Sequence, residues 1–216
     1  MTPSKTYAAF LFDMDGTVLD SIAVAERVWG DWARRHGLDV EAFLPTIHGV
    51  RAEETIRRQN LADIDIALET EAILRAEVAD VEGVISIPGA VAFLRALPAE
   101  RWAVVTSATR RLAEARLAYA GILPKTLVVA EDVTRGKPDP EPYLLAARQL
   151  GVDPARCVVF EDAPAGLQAG RAAGMITVAL ATTHEAHELD ADLVVSDLSA
   201  LSALVSDGGV EISVRG

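Results

Sequence analysis

The sequence predicts an α/β fold: a doubly wound parallel sheet of Rossmann-like architecture, with an all-helical domain inserted after the first strand. Three observations predict it. Short apolar runs recur along the chain, each ending in polar or glycine-containing turns. Helix-like stretches alternate with those runs over most of the sequence. One long segment, from about Asp20 to about Ser86, breaks the alternation and carries no strand signal.

The first apolar run, residues 8–12, ends at Asp13-Met14-Asp15-Gly16 and reads as a buried strand followed by a turn. Comparable runs lie at 102–105, 126–130, 157–160 and 176–180, with a weaker one at 191–195. Helical patterns occupy 90–97, 110–119, 140–150 and 165–173 between them. Within the interrupting segment, 21–36, 52–60 and 63–79 all read as helix. Such a segment is too long for a plain connection between strands. It therefore reads as a helical cap domain at 20–86, with 83–89 as the return linker, inserted into a core formed by 1–19 and 87–216. A terminal edge strand is expected at 208–214. Trp29 and Trp32, three apart on the first cap helix, read as core packing. Gly166, Gly170 and Gly174, spaced by four, read as a small-residue helix face against the sheet.

Half of the 216 residues are apolar and 24% are charged, enough for a core with a small accessory domain and too hydrophobic for disorder. Alanine and valine dominate the apolar content, which suits helices packed closely on buried strands. The net charge of −12 excludes nucleic acid and anionic membranes as natural partners. A small anionic substrate remains compatible, because a bound metal overrides the global field locally. Cys157 is the single cysteine, so no intrachain disulfide forms, in keeping with a reducing compartment. Residues 1–7 lack a basic stretch followed by an apolar one, and the run at 8–12 is too short for a signal peptide or a membrane span. The expectation is a cytoplasmic protein, monomeric by default.

In open parallel sheets, ligands bind beyond the carboxyl ends of the strands. Asp13, Thr106, the Lys137 region and Asp162 all follow strand-like runs, so the fold gathers them at one edge. Taken alone, Asp13-Met14-Asp15-Gly16-Thr17 is a turn signature. After a buried strand, however, its paired carboxylates imply a bound cation or a division into acid and base roles. Hard oxygen ligands of this kind suit Mg²⁺. Thr106-Ser107 offers hydroxyls and free N–H groups for a phosphate oxygen, although on this segment alone a helix N-cap at Ser107 or Thr109 is the better reading. Gly136-Lys137-Pro138 places a cation in a proline-restricted loop and is not a Walker loop, since Lys137 is followed by proline. Glu161-Asp162 repeats the pairing of acids directly after a strand. Each motif is ambiguous by itself, but their order at successive strand ends is specific.

As a set they resemble the haloacid dehalogenase superfamily, specifically its phosphatases with a helical cap after the first strand. The resemblance covers nearly the whole chain. It implies an aspartyl-phosphate mechanism with Asp13 as nucleophile and Asp15 as general acid and base. It further implies phosphoryl binding by Thr106 and Ser107, and charge neutralisation by Lys137. The implied Mg²⁺ ligands are Asp13, the Asp15 backbone carbonyl and Asp162, with Glu161 supporting them or holding a metal-bound water. The retained Asp15 argues against the dehalogenase branch. No lysine occurs between Thr6 and Pro124, which argues against the Schiff-base chemistry of the phosphonatase branch. The β-phosphoglucomutase branch carries a histidine near the start of its first cap helix, where this chain has Ala25. A mutase, a phosphoglycolate-type phosphatase and a non-catalytic regulator are the competing readings.

The segments 87–90, 102–107, 136–143 and 160–166, with His48-Gly49-Val50-Arg51 in the cap, resemble the sugar- and polyol-phosphate phosphatases, including the 2-deoxyglucose-6-phosphate and glycerol phosphatase group. The expected substrate is accordingly a small phosphorylated sugar or polyol. His48 and Arg51 are the candidate specificity contacts, Arg51 through its planar fork. Cap opening is expected to gate access. His184 and His187 match no zinc motif and read as a solvated loop.

Overall fold

The computed structural model describes residues 6–47, 50–206 and 208–215. In chain order the elements are β1 (Ala9–Phe12), β2 (Leu19–Asp20), α1 (Ile22–Arg35), α2 (Val40–Phe43), α3 (Ala52–Arg58), α4 (Ile66–Ala79), β3 (Ile85–Ser86), α5 (Ala90–Arg95) and β4 (Trp102–Val105). There follow α6 (Arg110–Tyr119), β5 (Leu127–Val128), α7 (Glu141–Leu150), β6 (Cys157–Glu161), α8 (Pro164–Ala172), β7 (Ile176–Leu180), β8 (Leu193–Val195), β9 (Leu201–Ser206) and β10 (Gly209–Val214).

Six strands form one parallel sheet in the order β5-β4-β1-β6-β7-β8, with β1 at its centre. The order reverses direction at β1, the switch point at which such sheets bind ligands. Period-two alternation sorts β1 between two cores. Phe10 and Phe12 face one side, where Phe93 and Phe160 meet them; the Phe12 and Phe160 rings stack with centroids 4.5 Å apart. Aromatic pairs of this kind add about 0.5–1.5 kcal/mol beyond area burial. Ala9 and Leu11 face the other side, against Tyr143, Ala146 and Ala147 of α7 and Ala169 of α8. Small side chains here allow the helices to approach the sheet closely.

The inserted segment has its own apolar cluster, built from Val28, Trp29, Trp32, Ala33, Phe43, Ile47, Ile56 and Ile73. Both tryptophans are core residues, and Trp32 Nε1 donates to Glu69 at 2.8 Å. Asp65 starts α4 by accepting the N–H groups of Ala67 and Leu68 at 3.0 and 3.2 Å, which places the helix start later than the apolar pattern indicates. Asn60, at φ 49°, ends the stretch begun by α3.

Three features depart from the sequence expectation. The segment after β1 was expected to lack strands, yet Leu19 pairs with Ser86 and Asp20 with Ile85 in a short antiparallel ladder. The terminal strand β10 does not join the main sheet's edge. It forms a separate hairpin with β9, tied back to the chain start by a Tyr7–Val210 bridge. Gly174 does not belong to the packed glycine face: it adopts φ +74° just past α8 with open space around it. Gly170 does belong, since a Cβ there would meet Val159 and Thr177 at 3.1 Å.

Candidate active site

The loops leaving β1, β4, β6 and β7 converge at the carboxyl edge of the sheet. Asp13 follows β1 and is anchored by its N–H, which donates to the Phe160 carbonyl at 2.9 Å. The next turn closes through Gly16 N–H to Leu19 O at 2.7 Å. Gly16 has φ +83°, and a Cβ there would lie 2.3 Å from Asp162 Oδ2. Both the backbone conformation and the approach of Asp162 therefore require glycine.

Lys137 is buried between the acids. Its Nζ donates to Asp13 Oδ1, to Glu161 Oε1 at 2.6 Å and to the Val105 carbonyl at 2.9 Å. The loop carrying it is fixed by Glu141, whose carboxylate accepts the N–H groups of Thr134 and Arg135 at 2.9 and 3.1 Å. Burial works against the ammonium charge, but Asp13 and Glu161 outweigh it and hold the pKa above the ordinary lysine value. Burial raises Asp13 well above the usual carboxylate range, Lys137 draws it back, and Glu161 and Asp162 push it up again. Burial, with Glu161 beside it, pushes Asp162 up to about 7, while bonds from Thr183 and Thr17 pull the other way.

Asp13, Glu161 and Asp162 place carboxylate oxygens within 4.8 Å of one another. This donor set is all hard oxygen, the kind that Mg²⁺ takes. Thr17 Oγ1 donates to Asp162 Oδ1 at 3.1 Å and Thr183 Oγ1 to Oδ2. Glu161 is more heavily engaged. Its Oε1 accepts Lys137 and also Tyr143 Oη at 2.7 Å, and its Oε2 accepts the Asp162 N–H at 3.2 Å. Asp13 and Asp162 are thus the freer pair, and one or two carboxylates are what a Mg²⁺ site uses.

A Cβ on Gly166 would sit 1.7 Å from Glu161 Oε1. The glycine therefore leaves room for the carboxylate that holds Lys137. Gly166→Ala is expected to lower kcat by about tenfold to a hundredfold through displaced geometry, measured by steady-state kinetics. An unchanged kcat would show that Lys137 does not depend on Glu161.

The Asp15 carboxylate lies outside the acidic cluster among the described residues. Its Oδ1 accepts Arg116 Nη1 at 3.0 Å and Ser21 Oγ at 2.5 Å. Thr106 is buried, its N–H bonded to Val128 O at 2.9 Å, and its Oγ1 accepts the Ala108 N–H at 3.0 Å; Ser107 is exposed. Thr109, not Ser107, occupies the N-cap of α6. Arg51 stands at the N-cap of α3 without capping it through its side chain. Its guanidinium leans instead on the Lys137 loop, where a Cβ on Gly136 would meet Nη2 at 2.7 Å. His48 lies outside the described residues. His184 Nδ1 meets Thr183 Oγ1 at 2.9 Å, and neither His184 nor His187 joins a metal-type cluster among the described residues.

Sequence reasoning assigned no role to Ser21, Arg116, Tyr143 or Thr183, which hold the acids, or to Glu77, which holds Arg116. Tyr143 lies in the segment following Gly136-Lys137-Pro138. The others carry no local signal, because their partners are distant in sequence.

A family model for haloacid dehalogenase-like hydrolases matches residues 7–174. Hexitol phosphatase A of Escherichia coli is 42% identical over 93% of this chain and 95% of its own. The 2-deoxyglucose-6-phosphate phosphatase 2 of Saccharomyces cerevisiae is 35% identical over 95% of this chain and 94% of its own. Among solved structures, CbbY from Rhodobacter sphaeroides in complex with phosphate superposes with a TM-score of 0.76 at 25% identity, covering 89% of this chain and 95% of that one. With sequence relatives, a solved neighbour and motif geometry in agreement, the chain belongs to the haloacid dehalogenase-like hydrolases.

Proposed function

We propose that this protein is a Mg²⁺-dependent phosphatase of small phosphorylated sugars or polyols, working through an aspartyl-phosphate. The observation that carries the reading is the convergence of Asp13, Lys137 and Asp162 at the switch point of the sheet. The phosphatase relatives among sugar and polyol esters supply the substrate class.

An Asp13 carboxylate oxygen attacks phosphorus, and the bond from phosphorus to the ester oxygen breaks. Asp15 gives its proton to the departing oxygen, releasing the alcohol. Asp15, now ionised, takes a proton from water as the water oxygen attacks phosphorus. The bond to Asp13 then breaks, and inorganic phosphate leaves. Lys137 balances charge on the nucleophile and the phosphoryl group, and Thr106 and Ser107 hold phosphoryl oxygens. We assign Asp13, the Asp15 carbonyl and Asp162 as Mg²⁺ ligands and Glu161 as the group that orients Lys137. When bound, the ion neutralises charge that would otherwise repel an anionic substrate. We assign substrate selectivity to Arg51 and His48 in a cap spanning 20–86, while 1–19 and 87–216 form the catalytic core. Phosphoryl transfer by such a site is mainly positioning and charge stabilisation.

The test is phosphate release from a panel of sugar, polyol and glycolate phosphates, with and without Mg²⁺. Metal-dependent release from hexose or polyol phosphates is expected, and a chelator stops it reversibly. No release from any ester, or release indifferent to the metal, would overturn the reading.

A further inference from the structure

Helix α6 presents Leu112, Ala113 and Leu117 to the interior, and with them an arginine. The Arg116 side chain is 5% exposed. A guanidinium is buried at high cost unless it is paired. Here Nη1 donates to Asp15 Oδ1 at 3.0 Å and Nη2 to Glu77 Oε1 at 3.1 Å. Glu77 belongs to α4 of the inserted segment and is itself buried. One cation thus joins a core helix, the loop after β1 and a cap helix. Its planar fork fixes both nitrogens relative to each other, so a shift of Glu77 is passed to Asp15. Burial raises the Glu77 pKa and Arg116 draws it back, while Asp15 pushes it further up. Without Arg116, two carboxylates would face each other. Ser21, at the N-cap of cap helix α1, donates to the same Asp15 oxygen. Among the described residues no donor reaches Oδ2, which is therefore the oxygen presented for proton transfer.

We propose that Arg116 is a positioning residue for Asp15 and that Glu77 ties it to the cap, so that the acid is aligned only while α4 is seated on α6. The proposal rests on the assignment of Asp15 as the group that protonates the leaving oxygen. Arg116 itself touches no reacting atom.

The experiment compares kcat/KM for sorbitol 6-phosphate, whose alkoxide needs a proton to leave, with that for 4-nitrophenyl phosphate, whose phenolate does not. For Arg116→Met the loss on the alkyl ester is expected to exceed the loss on the aryl ester by about tenfold or more, a part of the roughly hundredfold or more that general acid catalysis contributes. Glu77→Gln gives a smaller difference in the same sense, and Arg116→Lys restores part of it. A merely structural role would lower both esters equally, and equal losses overturn the proposal. Should Arg116→Met not fold, Arg116→Lys decides by the same comparison. Asp15→Asn is measured alongside. If it shows the alkyl–aryl difference and the Arg116 variants do not, the positioning role fails alone. If Asp15→Asn shows none either, the acid assignment fails with it.

Discussion

Asp13→Asn is expected to abolish turnover and to leave the fold standing. The amide is nearly isosteric with the carboxylate but cannot attack phosphorus, so kcat falls by about four orders of magnitude or more, the scale seen when a covalent nucleophile is removed. The structure gives the reason to expect that folding survives. Asp13 is a carboxylate whose pKa is raised by burial and by two neighbouring acids, so its charge is a cost to the native state. Lys137 keeps Glu161 and the Val105 carbonyl as partners when Asp13 becomes neutral. The melting temperature is expected within about 4 °C of the parent, equivalent to about 1–2 kcal/mol for a chain of this size. Rapid-quench mass spectrometry would find phosphate on the Asp13 peptide in the parent and not in the variant. A phosphorylated enzyme, or near-normal kcat, in Asp13→Asn would remove Asp13 as the nucleophile.

Lys137→Met has a different signature, with activity and stability lost together. The lysine side chain is 8% exposed and lies between Asp13 and Glu161, which are 13% and 2% exposed. Methionine matches its length but leaves three carboxylates facing one another without a cation. Breaking a buried pair from one side costs about 3–5 kcal/mol, and kcat is expected to fall by about three orders of magnitude with the loss of charge stabilisation. The pH dependence has a definite sign. Carboxylates whose folded pKa is raised bind more protons folded than unfolded, so stability is lost as pH rises towards the folded pKa and recovered as pH falls. Burial raises the Asp162 pKa and Lys137 lowers it, to about 7 with the lysine present, so Asp162 in the variant takes up its proton at higher pH and the stability gap between variant and parent narrows as pH falls towards 7. Adding Asp13→Asn to Lys137→Met removes one of the facing charges and restores part of the melting temperature. An additive double variant would show that Lys137 and Asp13 do not interact.

The sequence revealed those parts of the molecule whose signals are local. The strand before Asp13 is a continuous apolar run because β1 lies at the sheet's centre, buried on both faces. Asp13 and Asp162 were legible because each sits directly beyond a strand, and Lys137 because glycine and proline flank it in the loop before α7. The ladder between β2 and β3 was not legible, since two residues per strand give no periodicity and their partners are separated by the whole helical insertion. Strand β9 mixes polar and apolar residues and is half exposed, so its pairing with β10 shows no clean alternation. Arg116 reads in sequence as an ordinary basic residue in the last turn of a helix. Only tertiary structure shows that this turn is buried against Asp15 and Glu77. Thr183 is likewise a plain loop threonine until the β7 loop meets Asp162.

The pairing of Leu19 with Ser86 and of Asp20 with Ile85 means that the chain departs from the core and rejoins it at adjacent points, about 5 Å apart as in any antiparallel pair. Whatever lies between those points closes a loop whose ends the core already holds together. Its length and composition can therefore change without altering the register of β1 against β4 and β6, because loop length adds only slowly to the closure cost. A helical segment from a relative, grafted across the same two residue pairs, is expected to leave β1 and its neighbours in register, and to keep Asp15 in place only if it brings counterparts of Ser21 and Glu77.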